Sequence, residues 1–428
     1  MNLADEKENI GIVLKKLLRS KFFKYAFIFQ ISYLILSIVL TLIIFRNQND
    51  FKVYYKVGEV FINDLGDLYN KVNYDWPFRY LPLSALFFIP FYLMGFDIGF
   101  IFFNLVNFLL NLLICYFLYK IITIKNQETT FQTQRDLSFY LSIFLIGLPQ
   151  LFNYILGQIN LYISLLMLLS LYLFIKHNDL KWQFISSIIL GITIIFKPIT
   201  LFLLPFLIYL RYNPQSKRVQ FKIRLSVYRV IGFLIPLSLN AIIFLLVPSL
   251  LEGFIYVNFT GTDAILINHS ISLTKIISNL LFTIGFTNNQ LASAQIPLFL
   301  AIAAVFGISS FLIYFFRREK EESIIYGFTF GILIMFIAYF DTWDHHLLNL
   351  IPLLIIIIIE NKNKFSIKYL KISLYFFSFL DLAFMGLFFI TAILLSFPFN
   401  FMGTIFLFIT FYAICKLNLV SKKIIPAS

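Results

Sequence analysis

YAFIFQISYLILSIVLTLIIF, residues 25–45, runs directly into RNQNDFKVYYKVGEVFINDLGDLYNKVNYDWPFRYLP, residues 46–82. The first stretch carries no charge and is 21 residues long. As a helix it would extend about 31 Å, close to the ~30 Å hydrocarbon core of a bilayer. The second stretch holds five acids, five bases and five tyrosines in a chain that is otherwise 60% hydrophobic. A carboxylate, Asp50, just past a membrane helix and followed by an aromatic, half-amphipathic loop, builds a site at the membrane surface. That placement favours chemistry on lipid-borne substrates over passage of a solute.

Outward from this stretch the pattern repeats. Mean hydropathy is +0.87, only 13% of the 428 residues are charged, and Phe alone contributes 55. No soluble domain of this length could cover so much apolar surface, so the chain reads as an all-α, polytopic integral membrane helical bundle. Apolar segments fall at 25–45, 81–95, 97–119, 138–152, 158–175, 183–196, 198–210, 230–250, 296–316, 323–340, 345–360, 370–393 and 398–415. Segment 81–95 would reach only about 22 Å as a helix and is expected to be re-entrant or steeply tilted. The short halves 183–196 and 198–210 are expected to form a hairpin broken at Pro198. About 11–13 membrane segments result. Cys115 and Cys415 both lie in apolar runs and read as small core residues, without a disulfide or metal role. The polar segment 1–24 and the run after it suggest an uncleaved first helix, since the run is long and lacks a small-residue cleavage site.

The net charge of +13 invites a nucleic-acid reading, but its distribution argues against one. Seven clusters, at 7–24, 120–135, 176–181, 211–229, 317–320, 362–371 and 416–423, hold 27 of the 34 Lys and Arg residues. If all seven face the cytoplasm, the positive-inside rule is satisfied throughout, and attraction to anionic membrane lipids explains the rest. The expected organisation is a cytoplasmic basic tail 1–24, one integral domain 25–416 and a cytoplasmic tail 417–428. External segments are then 46–80, 251–295 and the turns near 157–158, 197–198, 341–346 and 397–400, with short surface helices in the longer loops. The two N-x-S/T sequons, at Asn258 and Asn268, both fall in the second external loop, which is mild support.

The polar groups of the external side converge on a few positions. Each also has a bland reading. Asp50 alone is more often a solvated loop acid than a base. Arg79 and Tyr80 have the residue types of interfacial anchors. Gln158 and Asn160 flank a helix start that Asn160 would cap. Lys197 interrupts a long apolar stretch, where snorkelling competes evenly with function. His345 and His346, in the string Asp-Thr-Trp-Asp-His-His at 341–346, have no metal-ligand spacing and offer no hydrolase triad. On a helix, adjacent residues point about 100° apart, so only one of the two is expected to serve the site. Phosphate-cradling and dinucleotide motifs are absent from the sequence.

In three blocks the chain resembles the GT-C class of membrane glycosyltransferases, and within it the polyprenyl-phosphate-mannose-dependent mannosyltransferases of glycosyltransferase family 87. The first block is Asp50-Phe-Lys-Val-Tyr-Tyr, with Gly66-Asp-Leu-Tyr69 and Phe78-Arg-Tyr-Leu-Pro82. The second is Gly157-Gln-Ile-Asn160, then Gly191 through Lys197-Pro198. The third is Trp343-Asp-His-His-Leu347 leading into Ile351-Pro352. Tyr80-Leu-Pro82 departs from the family's usual Tyr-Pro-Pro. The resemblance implies an inverting hexosyltransferase of the cell membrane with its site at the external surface. It carries the catalytic aspartate onto Asp50, and donor-phosphate binding onto Lys197 and onto His345 or His346, with Arg79 as a further candidate. Tyr54, Tyr80, Gln158 and Asn160 are the expected substrate contacts. The donor is a polyprenyl-phosphate-linked sugar, mannose in the family, and the acceptor a lipid or glycan. Asp64-Leu-Gly-Asp67 is not the D-x-D of metal-using relatives, so no metal or other cofactor is implied.

The chemistry of the residues agrees. Transfer from a polyprenyl phosphate needs one general base at the acceptor hydroxyl. It needs no general acid, because the leaving phosphate is a stable anion, unlike the paired-carboxylate case of glycoside hydrolysis. The leaving group does need cations or donors aimed at it. The first-loop tyrosines and Trp76 suit stacking on sugars and interfacial packing. The alternative is a transporter or flippase for lipid-linked glycans, which would hold charge near the bilayer midplane, where Asp381 is the main candidate. A non-catalytic scaffold gives no reason for these groups to gather on one side.

Overall fold

The computed structural model describes residues 9–125, 131–213, 216–260, 270–317, 324–361, 364–390 and 401–419. Asn268, the turn at 397–400 and the side chain of Asp381 lie outside the described residues.

The basic tail carries one short helix, α1 (Ile10–Leu17), capped by Asn9 and packed through Val13 and Leu17. Helix α2 (Lys21–Ile43) is the first membrane helix. A tight corner follows, and Asn49 builds it. Its side-chain oxygen accepts from the Lys52 amide at 2.9 Å, capping α3 (Asp50–Asn63), while its Nδ2 donates to the carbonyls of Phe45 (2.7 Å) and Arg46 (3.0 Å). Asp50 is thereby fixed as the first residue of α3. Helix α4 (Ser84–Leu93) packs along α3, and at ten residues it extends about 15 Å. That is half a bilayer, in keeping with a re-entrant or tilted segment.

Helix α5 (Phe96–Lys125) is long and apolar enough to cross fully. Helices α6 (Phe131–Ile146) and α7 (Leu148–Leu156) form one apolar path bent by 40° at Gly147. Helices α8 (Asn160–Lys176) and α9 (Leu180–Phe196) follow. The expected second half of the hairpin, 198–210, is not a regular helix. It is a 3₁₀ turn (Pro198–Leu203) and a single turn, α10 (Leu204–Leu207). Pro198 and Pro205 each remove a backbone donor there, which limits any helix to its first turn. The chain then makes a two-stranded hairpin, β1 (Leu210–Asn213) and β2 (Arg218–Phe221), paired antiparallel with Leu210 opposite Phe221. This ribbon, half-buried along β1 and exposed along β2, is the one sheet among the described residues.

Helix α11 (Ile223–Leu246) crosses α9 at backbone contact. A Cβ on Gly191 would stand 2.3 Å from the Phe233 carbonyl oxygen, and one on Gly232 would stand 2.7 Å from that of Phe184. Without side chains between them, the two backbones touch, a common packing device between membrane helices. The second polar loop carries α12 (Pro248–Ile255) and α13 (Leu273–Thr283), and α14 (Asn288–Phe315) starts within its expected limits.

Helix α15 (Ile324–Ala338), the 3₁₀ turn Asp344–Asn349, α16 (Ile351–Glu360), α17 (Ile367–Ile390) and α18 (Met402–Leu419) complete the chain. Helices α15 and α16 are apolar on every face and buried on nearly every residue, so they form the centre of the bundle and not its lipid-facing wall. Five helices, α2, α5, α11, α14 and α18, are long and apolar enough to span; the bent α6–α7 pair adds a sixth path. Six further apolar helices have 10–17 residues. Apart from 198–210, the expected apolar segments are present as helices over the described residues, but many are short ones packed inside the bundle. The protein is an all-α polytopic membrane protein.

Candidate active site

Five parts of the chain meet around a cavity of about 700 Å³. They are the start of α3, the loop at 76–80, the α7–α8 and α9–turn junctions, and the segment 339–346 before α16. Of the residues expected from the sequence, Asp50, Tyr54, Arg79, Tyr80, Gln158, Lys197, His345 and His346 line this cavity; Asn160 lies directly behind Lys197. Asp50 and His346 are separated by most of the chain, so the fold and not local sequence brings them together.

Asp50 is held from α7. That helix ends at Gly157 in the left-handed conformation, φ +64°, and a Cβ there would stand 2.6 Å from the Cβ of Phe51. Only glycine satisfies both conditions. The resulting turn aims Gln158 at Asp50, whose Oδ2 accepts from Gln158 Nε2. The Gln158 oxygen accepts in turn from Tyr54 OH at 3.3 Å, and Tyr54 shares a 2.8 Å hydrogen bond with Tyr80. No hydrogen bond to the other Asp50 oxygen is found among the described residues. Burial pushes the Asp50 carboxyl up to about 6, against the opposing pull of Lys197 and the Gln158 hydrogen bond.

Lys197 is 5% exposed and sits at the end of α9. Its ammonium donates to Asn160 Oδ1 at 2.6 Å. Burial lowers its pKa to about 7, while Asp50 and Asp341 act in the other direction. The cation is thus poised near neutrality, and an anion entering the cavity would hold it protonated.

Arg79 is not a free cation. It is ion-paired with Asp341, whose Oδ1 also accepts from the Trp343 indole N–H at 2.6 Å. Asp341 is the second carboxylate of the cavity, and both of its oxygens are engaged. The sequence pointed to the string 341–346 but not to this pairing, because nothing in the local pattern signals a partner so far away in the chain.

Both histidines line the cavity. They lie in a 3₁₀ turn that the cavity wraps around, with ring centroids 4.6 Å apart at 84°. Burial, with Lys197 next, lowers both pKa values well below the usual range, so both rings are neutral at pH 7. Nδ1 of His346 accepts from the Trp343 amide at 3.2 Å, which leaves Nε2 as that ring's N–H donor.

The tyrosines of the first loop divide into two groups. Tyr54 and Tyr80 line the cavity together with Trp76. Tyr69 and Tyr74 are scaffolding: their hydroxyls donate to the carbonyls of Tyr80 (2.6 Å) and Leu68 (2.9 Å). Asn258 of the first sequon also lines the cavity, with its Nδ2 donating to the Phe254 carbonyl at 3.0 Å. Much of the remaining wall is apolar, including Leu201, Phe202, Phe299, Met335 and Phe340.

A cavity holding one carboxylate with an unengaged oxygen, a buried cation and two neutral imidazoles suits group transfer from an anionic leaving group. The family model of glycosyltransferase family 87 matches residues 78–339, more than half of the chain. The chain belongs to glycosyltransferase family 87. No curated protein matches it. Membership makes the chain a membrane glycosyltransferase, with a sugar donor and an acceptor as its substrates. The match spans Arg79, Tyr80, Gln158, Asn160 and Lys197. Asp50, Tyr54, His345 and His346 lie outside it, and the fold joins them to the matched residues in one cavity.

Proposed function

We propose that this family 87 protein is an inverting hexosyltransferase that moves mannose from a polyprenyl-phosphate donor to a hydroxyl of a lipid or glycan at the external face of the cell membrane. The observation that carries this reading is Asp50. It is the one cavity carboxylate with an oxygen left for substrate, it faces a buried lysine, and its pKa is raised toward neutrality.

In the proposed step the acceptor oxygen attacks the anomeric carbon from the side opposite the phosphate. Asp50 takes the hydroxyl proton as the new C–O bond forms. The old bond to the phosphate oxygen breaks, and its electron pair leaves with polyprenyl phosphate. One displacement inverts the anomeric centre. Protonated Lys197 and the Nε2–H of His346 stabilise the departing charge. Arg79, tied to Asp341, orients the wall beside them. Tyr54, Tyr80, Gln158 and Trp76 offer hydrogen bonds and ring faces to the sugar. The apolar wall suits a prenyl chain. None of these steps calls on a metal ion.

Purified protein in liposomes, given labelled polyprenyl-phosphate mannose, polyprenyl-phosphate glucose or nucleotide sugars with extracted membrane lipids as acceptors, tests the reading. Transfer from polyprenyl-phosphate mannose with inverted anomeric configuration is expected. Transfer from nucleotide sugars alone, or retained configuration, would overturn it.

A further inference from the structure

Asn160 is fully buried and stands between two groups. Its Oδ1 accepts from Lys197 Nζ at 2.6 Å, and its Nδ2 donates to Oδ1 of Asn153 at 3.2 Å. An amide has one accepting and one donating end, so its orientation decides what the lysine meets. Rotated by 180°, Asn160 would point its NH₂ at the ammonium and its carbonyl at the carbonyl of Asn153. Both hydrogen bonds would be lost. The ammonium, which can only donate, takes the oxygen end of Asn160, and the oxygen of Asn153 accepts from the other end, so that the amide is held from both sides in the orientation that serves Lys197.

Asn153 does little else with its side chain. Its Nδ2 is buried and has no hydrogen-bond partner among the described residues. A buried donor without a partner is costly, so the oxygen is the useful end of this residue. The backbone of Asn153 serves the other arm of the site, since its carbonyl accepts from the Gln158 amide at 2.9 Å, just before Gln158 meets Asp50. Helix α7 is in turn fixed in register by a buried amide cluster. Asn111 Nδ2 of α5 lies within hydrogen-bond distance of the oxygens of Gln30 of α2 (3.1 Å), Gln150 (3.0 Å) and the Tyr154 hydroxyl (3.1 Å), among which its two N–H bonds are shared. Asn153 therefore stands on a rigid base between the two halves of the site.

We infer that Asn153 is a positioning residue for Lys197, acting by accepting from the far end of the Asn160 amide and so holding its oxygen on the ammonium. The inference rests on the reading that Lys197 holds the donor phosphate. Removing the Asn153 oxygen leaves Asn160 anchored only through the ammonium and its buried NH₂ without an acceptor, which loosens the contact with Lys197 and favours neutral lysine. The other groups acting on Lys197 stay in place: Asp50 and Asp341, which favour its charge, and neutral His345 and His346. Asn153→Asp keeps an oxygen acceptor for Asn160 and gives up only an N–H₂ that has no partner. Any negative charge it carries favours protonated lysine.

The test compares wild type, Lys197→Met, Asn153→Leu and Asn153→Asp in liposomes with polyprenyl-phosphate mannose. Donor KM, the alkaline limb of the kcat/KM–pH profile and Tm are read for each. Asn153→Leu is expected to raise donor KM about tenfold and to move the alkaline limb to lower pH. Asn153→Asp is expected to stay within about threefold of the wild-type KM, with the limb at higher pH. Wild-type KM and limb in Asn153→Leu, beside a raised KM in Lys197→Met, would overturn the inference alone. Equal losses of Tm and KM in both Asn153 variants, with no opposed movement of the limb, would overturn it by making the residue merely structural. An unchanged donor KM in Lys197→Met would remove the phosphate assignment itself and the inference with it.

Discussion

A carboxyl group buried beside apolar walls holds its proton more tightly than one in water, because burial penalises the charged form. At Asp50 this places the proton equilibrium at about 6. A base must be ionised to work, so kcat/KM is expected to fall as pH drops through about 6, roughly tenfold per unit below it. Asp50→Asn should lower turnover by about 10²–10⁴-fold with donor binding retained. Asp50→Glu should recover little, since one methylene displaces the carboxylate by about 1 Å. The same group gives a stability prediction of opposite sense. Its folded pKa lies above that of an exposed aspartate, so the wild type is destabilised where Asp50 is ionised in both states. Asp50→Asn should then raise Tm above pH about 6, and the gain should disappear as pH falls toward 4. A wild-type rate in a folded Asp50→Asn protein would move the base elsewhere. Among the histidines, His346 has its tautomer fixed by the Trp343 amide and His345 has no such bond among the described residues. Alanine at 346 is therefore expected to cost more turnover than alanine at 345. Turnover of the two variants measured side by side decides this, and the reverse order would separate the phosphate donor role from the Trp343 contact.

At the scale of elements, the site depends on where helices stop. Asn49 ends the corner before α3, Gly157 ends α7, and Lys197 follows the last residue of α9. Gly157→Ala would force a side chain into the left-handed region, at about 1 kcal/mol or more, and against Phe51. The shift moves Gln158 away from Asp50. Turnover should fall by roughly 10²-fold, the scale of a 1 Å misplacement, and Tm should fall with it. Near-wild-type turnover would show that the turn tolerates a side chain and that Gln158 is not aimed by it. These stopping points are also where the sequence was most legible. Hydropathy located the apolar runs, and Gly157, Gln158 and Lys197 stood out as interruptions. What it could not convey was partnership. Arg79 is legible as a cation of the site, but its pairing with Asp341 across most of the chain is not. Tyr69 and Tyr74 looked like sugar platforms, yet they brace the loop. Asn153 carried no signal, because an asparagine inside an apolar helix looks the same whether it packs or positions. Hydropathy and Pro198 together suggest a broken hairpin with 198–210 as a membrane half-helix, whereas Pro198 and Pro205 leave only a 3₁₀ turn and a single α turn there.

For the molecule as a whole, the question is which side of the membrane the cavity faces. Positive charge gathers in seven clusters that alternate with the cavity-forming loops along the chain. Insertion tends to retain such clusters on the cytoplasmic side, and on that rule we propose Asp50, Asn258 and Asp344 outside and the β-hairpin segment 211–229 inside. The arrangement suits a lipid-borne donor, whose phosphate-linked sugar is presented at the interface where Asp50 begins α3. Single cysteines test it. Cys115 and Cys415 would be replaced first, leaving a background without thiols. Val72→Cys is well suited to the outer side, since Val72 is 91% exposed in the first loop, and Lys217→Cys to the inner side, since Lys217 is exposed in the hairpin turn. On intact cells an impermeant thiol reagent is expected to label position 72 and to spare 217 until the membrane is permeabilised. Labelling at 217 but not at 72 would invert the whole arrangement, move the site to the cytoplasmic face and require a donor presented from that side.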